Sequence, residues 1–195
     1  MPRILTLPAT PDDVRALCVG DEVLVRGRLV TARDAALRAL AAADDPRFRA
    51  MAQGRLVYHC GPVVARDPDG SWRFVAAGPT TSSRMEPWQA DVIARYDLRG
   101  VVGKGGMGRR TLEALRDRAA YLHAVGGLAV VLARTVVRVH GVHRLEELGV
   151  SEAIWDIEVQ DFPAVVTMDA HGTSLHERRE AEPENLARQL MDRGT

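Results

Sequence analysis

Three short loops constrain the fold of this chain more than any other feature. Each is polar or glycine-rich, each carries a cation, and each leads toward a helix-forming stretch. They are Thr31-Ala32-Arg33-Asp34, Gly78-Pro79-Thr80-Thr81-Ser82-Ser83-Arg84 and Gly103-Lys104-Gly105-Gly106. The first and third follow β-branched runs, over 22–30 and at Val101-Val102. Each therefore reads as strand, loop, helix, the unit of an α/β fold. The first loop opens an Ala- and Leu-rich helix over 32–43, with Thr31 as N-cap and Asp34 placed as in a capping box; Asp44-Asp45-Pro46 ends it. The second opens a helix from Pro87 to about Tyr96. After the third, Leu112, Leu115, Ala119 and Leu122 sit at helical spacing and predict an amphipathic helix over 110–123.

Short apolar runs between turn residues supply the strands. Residues 3–7 read as a short edge strand, and 56–59, 63–65 and 72–76 as three more. Asp67-Pro68-Asp69-Gly70 makes a hairpin of the last two. Further strands are expected over 128–132, 136–139, 154–159 and 164–168, and a solvated terminal helix over 178–191. The fold class expected is α/β, a β-rich first half with an antiparallel meander packed against an α/β second half. The domain spans 1–177, and 178–195 forms a tail.

Charge and composition exclude several functions. Lys+Arg and Asp+Glu are 26 each, so the chain lacks the net basic charge of a nucleic-acid binder. The longest apolar stretch, 126–133, has eight residues, where a membrane span needs about 20. The first residues contain no signal-peptide apolar core. Cys18 and Cys60 read as free thiols of a cytoplasmic protein. Every basic residue is arginine except Lys104, which sits among glycines. A compact ammonium on a flexible stem fits such a crowded loop where a planar guanidinium does not.

Helix N-termini attract anions, and Arg33, Arg84 and Lys104 would make each loop a carboxylate or phosphate clamp. Three cations around one small site suit a substrate with two carboxylates. Competing chemistries fit poorly. Lys104 precedes its glycines and no Ser or Thr follows it, so the loop is not a Walker motif. His140, His143, His171 and His176 could be imagined around a metal, but Arg138 and Arg144 beside them would repel a cation. His59 and Cys60 are adjacent on a strand and point to opposite faces, which rules out a direct nucleophile–base pair. No Gly-x-Ser-x-Gly elbow is present.

Together with His59-Cys60-Gly61-Pro62-Val63 and the Arg-Met that closes the second loop, these blocks resemble the class I, iron–sulfur fumarase family. More narrowly, the chain resembles the small β subunit of its two-subunit members, L-tartrate dehydratase among them; in single-chain members this unit is the C-terminal domain. The likeness runs from about Arg3 to about Leu175, and the Gly-Pro-Thr-Thr-Ser-x-Arg-Met block is its most specific part. The resemblance implies a swivelling β/β/α domain and reversible hydration of a C4 dicarboxylate, with fumarate to L-malate first and L-tartrate second. It implies that Arg33 and Arg84 bind substrate carboxylates, that Lys104 serves the same site, and that Thr80 is the catalytic base. A free hydroxyl is a very weak acid, so that last role requires neighbouring cations. The family's cofactor is a [4Fe–4S] cluster, which needs three or four thiolates. This chain has two cysteines, so the cluster is expected on a partner α subunit, in a dimer of heterodimers, with this chain inactive alone. One departure is Leu37, where the family often has His. The reading from a different class is a stand-alone anion-binding module that keeps the fold.

Overall fold

The computed structural model describes residues 1–177; the terminal helix expected over 178–191 lies outside the described residues. In chain order the elements are β1 (Arg3–Leu7), α1 (Pro11–Arg15), β2 (Glu22–Thr31), α2 (Asp34–Ala42), α3 (Pro46–Ala52), β3 (Leu56–Tyr58), β4 (Val63–Arg66) and β5 (Trp72–Ala76). A 3-10 turn (Ser82–Met85) leads into α4 (Glu86–Tyr96), followed by β6 (Gly100–Gly103), α5 (Arg109–Leu115), β7 (Ala120–His123), α6 (Ala129–Arg134), β8 (Val136–His143), α7 (Leu145–Leu148) and β9 (Ile154–Met168).

Period-two burial shapes the sheet. Leu56 and Tyr58 face one core while Val57 faces the other, and Val102 and Val101, or Leu122 and Tyr121, divide the same way. Strands buried on both faces carry continuous apolar runs, which is why 56–58 and 101–102 do not alternate with polar residues. Seven strands join in the order β1-β2-β3-β6-β7-β9-β8. β1, β2, β3, β6 and β7 are parallel neighbours, and β9 runs antiparallel to β2, β7 and β8. Val165 of β9 pairs with Glu22 on one edge and His123 on the other. β2, β3, β6, β7 and β9 therefore close into a ring. On one face, α2 to α5 bury Leu37, Leu40, Phe48, Ile93, Tyr96, Leu112 and Leu115 against it. On the other, Trp155 receives the β4–β5 hairpin through edge-on contacts with Trp72 and Phe74, at ring separations of 5.2 and 5.8 Å.

Several expectations are corrected. The chain is mixed α/β, but it does not divide into a β-rich half and an α/β half. β2 and β3 are interior strands of the same sheet as β6 and β7, and only the β4–β5 hairpin stands apart. Thr31 does not cap α2. It is the last residue of β2, and its hydroxyl accepts from Trp155 N at 3.1 Å, while the N-cap is Arg33, with no side-chain cap bond. The helix expected over 110–123 stops at Leu115; Asp117 turns left-handed (φ 62°) and the chain resumes as β7, paired on both edges. The apolar run over 128–132 is not a strand but the start of α6, with Leu132 and Ala133 buried and Val130 and Val131 exposed. Asp45-Pro46 ends one helix and starts another: Asp45 Oδ1 accepts from Phe48 N at 3.0 Å, capping α3.

Candidate active site

Three of the parallel strands deliver their carboxyl ends to one place, the side of a parallel sheet where ligands bind in open and closed α/β folds alike. β2 runs out into Arg33, β3 into His59-Cys60-Gly61, and β6 into Lys104. The Gly-Pro-Thr-Thr loop lies between the last two like a short extra strand. Pro79 bridges Cys60, and Thr81 bridges Lys104. Thr80 N donates to His59 O at 2.8 Å, Lys104 N to Thr80 O at 3.3 Å, and Ser82 N to Lys104 O at 3.0 Å. Backbone pairing alone thus holds Thr80 beside Lys104.

Asp34 draws the two expected arginines together. Arg84 donates from Nε to Asp34 Oδ1 at 3.1 Å and from Nη2 to Oδ2 at 2.8 Å, in the planar two-bond fit of guanidinium to carboxylate. Arg33 Nε donates to Asp34 Oδ2 at 3.3 Å and lies 2.8 Å from Glu152 Oε1. Arg84 Nη2 also donates to Thr80 Oγ1 at 2.9 Å. Burial works against the Asp34 charge, but Arg84 and Arg33 outweigh it and hold its carboxyl below the usual range. Gly61 leaves room for the Arg33 fork: a Cβ there would lie 2.6 Å from Arg33 Nη1. The Lys104 side chain is exposed and its stem passes over Gly126, with no carboxylate within ion-pair distance among the described residues. The cluster is open to solvent, with the Arg84 side chain 48% exposed.

Beneath it lies a buried polar chain. Tyr121 donates its hydroxyl to Ser82 Oγ at 2.8 Å; Ser82 Oγ lies 3.0 Å from His59 Nδ1, and His59 Nε2 lies 2.8 Å from Gln89 Oε1. All four residues are buried. Burial pushes the His59 pKa down to about 4, partly offset by Gln89, so the ring is neutral at pH 7. Gly103 passes so close that a Cβ there would overlap the Ser82 hydroxyl.

Arg33, Thr80 and Arg84, singled out in the sequence, are brought together around Asp34, with the Lys104 backbone paired alongside, but not by the helix N-termini expected to bind anions. On α2 and α5, N–H groups at the helix start are already taken by carboxylates of this chain. Glu152 Oε2 accepts from Ala35 N at 2.9 Å on α2. Glu86 accepts from Gly108 N at 2.7 Å and Thr111 N at 3.0 Å on α5. Cations on side chains, rather than helix ends, give the site its positive character. Sequence reasoning missed Glu152, Gln89, Tyr121 and the inward role of Ser82. Ser82 alone carried a signal, since the Thr-Thr-Ser-Ser run offers more hydroxyls than capping requires. Leu37 is wholly buried among apolar neighbours and does not reach the site.

The thiols do not fit an iron–sulfur cluster. Cys18 is exposed, Cys60 is buried, and burial pushes the Cys60 thiol up to about 12. Among the described residues no group of three or more His, Cys, Asp or Glu is placed to hold a metal ion. No helix among them is long and apolar enough to cross a membrane.

The sequence matches the model of a family described as Fumarase C-terminus over residues 3–179. It is 47% identical to a protein of Geobacillus stearothermophilus named "Putative fumarate hydratase class I", over 90% of this chain and 34% of that one. It is 40% identical to the "Putative L(+)-tartrate dehydratase subunit beta" of Methanocaldococcus jannaschii, over 86% of this chain and 88% of that one. It is 38% identical to the L(+)-tartrate dehydratase subunit beta of Escherichia coli K12, over 90% and 87%. The chain thus spans about a third of the first relative and most of the other two.

Proposed function

This chain belongs to the Fumarase C-terminus family, and on that premise we propose that it is the β subunit of a hydro-lyase acting on a C4 dicarboxylate, fumarate and L-malate in the first reading. The observation that carries the reading is the 2.9 Å contact of Arg84 Nη2 with Thr80 Oγ1, beside the backbone that bears Lys104. It joins a hydroxyl to a cation at the carboxyl ends of parallel strands, with the backbone of a second cationic residue paired beside it.

Arg84 keeps the Nη1 edge of its fork for one substrate carboxylate, and Arg33 serves the other. Removing a proton next to a carboxylate moves negative charge onto that carboxylate. Fixed cations aimed at it stabilise the charge as it develops. In the dehydration direction Thr80 Oγ1, as the alkoxide, takes the proton from carbon; that proton leaves with the departing hydroxyl as water, which restores the alkoxide, and hydration runs the same steps in reverse. A nearby cation favours the charged form of an acid, and the guanidinium on Oγ1 draws the alkoxide toward reach. Lys104 adds a compact positive charge to the same site.

The [4Fe–4S] cluster of this chemistry belongs, in this reading, to a partner α subunit, because the two thiols here do not form its ligand set. The open face of the site supports the same division. Charges facing water are screened, and a second chain closing over them would strengthen each interaction. The body of the chain corresponds to the family's swivelling β/β/α unit, assembled as a dimer of heterodimers. L-tartrate is the second reading, favoured by relatives named as tartrate dehydratase β subunits that this chain covers almost end to end.

The test is anaerobic co-expression with the cognate α chain, followed by assays of fumarate hydration and L-tartrate dehydration. Activity only with both chains present, lost in Arg84→Ala, supports the reading, and the preferred acid names the substrate. A complex that turns over neither acid, or an Arg84→Ala complex with wild-type rate, overturns it.

A further inference from the structure

His59 touches no solvent, lies outside the cation cluster and takes no part in the proposed proton transfer, yet all its polar atoms are engaged. Its main chain accepts from Thr80 N at 2.8 Å and donates to Val102 O at 2.8 Å. Its ring meets Ser82 through Nδ1 and Gln89 through Nε2. We propose that His59 is a positioning residue that clamps both ends of the Thr80–Thr81–Ser82 segment, by its carbonyl at Thr80 and its imidazole at Ser82, and so sets Thr80 Oγ1 against Arg84.

The direction of the hydrogen bonds follows from the partner that can only accept. Gln89 Oε1 can only accept, so it pairs with a proton on His59 Nε2; the neutral ring then has a bare Nδ1, which takes the Ser82 proton while Tyr121 donates to Ser82 Oγ. Gln89, the second residue after Pro87 in α4, thereby selects the tautomer that lets Ser82 dock. Gly103 completes the fit, since any side chain there would displace the Ser82 hydroxyl. An apolar residue at position 59 would pack as well but would leave the Ser82 proton and Gln89 Oε1 buried without their partner, a loss that polar networks do not tolerate.

This inference rests on Thr80 being the reacting hydroxyl, so its test has one arm that depends on activity and one that does not. Asn at position 59 places an amide oxygen near the Nδ1 position, while Gln reaches the Nε2 position instead. In the assembled α–β enzyme, His59→Asn is expected to retain activity within about fivefold of wild type. His59→Gln and Ser82→Ala are expected to lose on the order of 100-fold in kcat, with KM within about threefold, because a misplacement of about 1 Å costs that much. Tyr121→Phe, which removes a single hydroxyl from an otherwise intact ring, should fall between, at about tenfold. In the same complexes, amide hydrogen exchange at Thr80 and Ser82 should accelerate about tenfold or more in His59→Gln and Ser82→Ala but not in His59→Asn. Equal kcat in the Asn and Gln variants, or a wild-type kcat in Ser82→Ala, overturns the clamp. Should the wild-type complex act on neither acid, the hydro-lyase reading fails and exchange alone decides: unchanged exchange at Thr80 and Ser82 then sinks the clamp, and accelerated exchange upholds it.

Discussion

Arg84 has five N–H donors, and three are engaged within this chain, two on Asp34 and one on Thr80. The two on Nη1 have no partner among the described residues. Asp34 therefore works as a template for the fork, holding its inner edge while the outer edge stays free. An ammonium cannot span Asp34 and Thr80 in one plane. Arg84→Lys is thus expected to lower kcat/KM of the assembled enzyme about 100-fold, or roughly 2.7 kcal/mol of transition-state stabilisation. Steady-state kinetics on the purified complex would check this, and a loss under threefold would contradict the template. His59 yields a second prediction at the same scale. Its folded pKa is pushed down to about 4, against about 6.5 in an unfolded chain. Between these values the unfolded chain takes up a proton that the folded chain refuses. The stability contributed is complete above pH 6.5 and is lost as pH falls toward 4, by about 3 kcal/mol in all. Asp45, whose carboxyl is raised by burial but held down to about 2, below the usual aspartate range, by the Phe48 N–H and the His143 and Arg144 side chains, loses its contribution only below that window. The fall in melting temperature from pH 7.5 to pH 5 should therefore be smaller in His59→Asn than in wild type; equal falls would contradict the buried neutral ring.

Among the elements, α5 shows how a helix too short to hold itself depends on one distant residue. Seven residues give little intrinsic stability. Its first turn is satisfied by Glu86, which takes Gly108 N, Thr111 N and the Thr111 hydroxyl at 2.7 to 3.0 Å. Losing such a cap costs about 1–2 kcal/mol, and in a domain this size each kcal/mol moves the melting temperature by roughly 2–4 °C. Glu86→Ala is expected to lower it by several degrees, and Glu86→Gln, which keeps one acceptor, by less; calorimetry would decide. The same helix marks a limit of the sequence. Leu112, Leu115, Ala119 and Leu122 share one helical period, but the last two belong to the approach to β7 and to β7 itself, and only the left-handed Asp117 between them signals the break. Over 128–132 the ambiguity runs the other way. An apolar run of that length suits a strand or a helix equally, and with both edges of β7 already paired, the segment packs as α6 beside β5. By contrast, β2, the hairpin at Asp67–Gly70 and α4 were legible, because alternation, turn residues and Pro87 are local signals.

For the molecule as a whole, closure of the ring decides what is rigid, and no local pattern announces it. β9 is the last strand among the described residues and pairs with β2, near the start of the chain, over eight residue pairs from Glu22 to Val30. Such pairing depends on contacts far apart in the chain, whereas the site was legible because its residues sit in short loops whose chemistry is local. Arg33, the Thr80 segment and Lys104 all spring from or lean on ring strands, so their spacing is set by the stiffest part of the fold, as a preorganised site needs. The β4–β5 hairpin is different: it has only two strands, touches the ring through a few aromatic contacts, and leaves Val63 and Val75 exposed. Opening free energies range from near zero in such loosely attached units to the global value in a paired core. Native-state hydrogen exchange should therefore find the slowest amides in β2, β6 and the doubly paired middle of β9, and exchange in β4 and β5 faster by about 100-fold or more, as a difference of at least 2.7 kcal/mol in opening free energy implies. Hairpin amides as slow as those of β9 would mean that the two sheets open together. The site would then rest on a single cooperative body in which the hairpin shares, rather than on the ring alone.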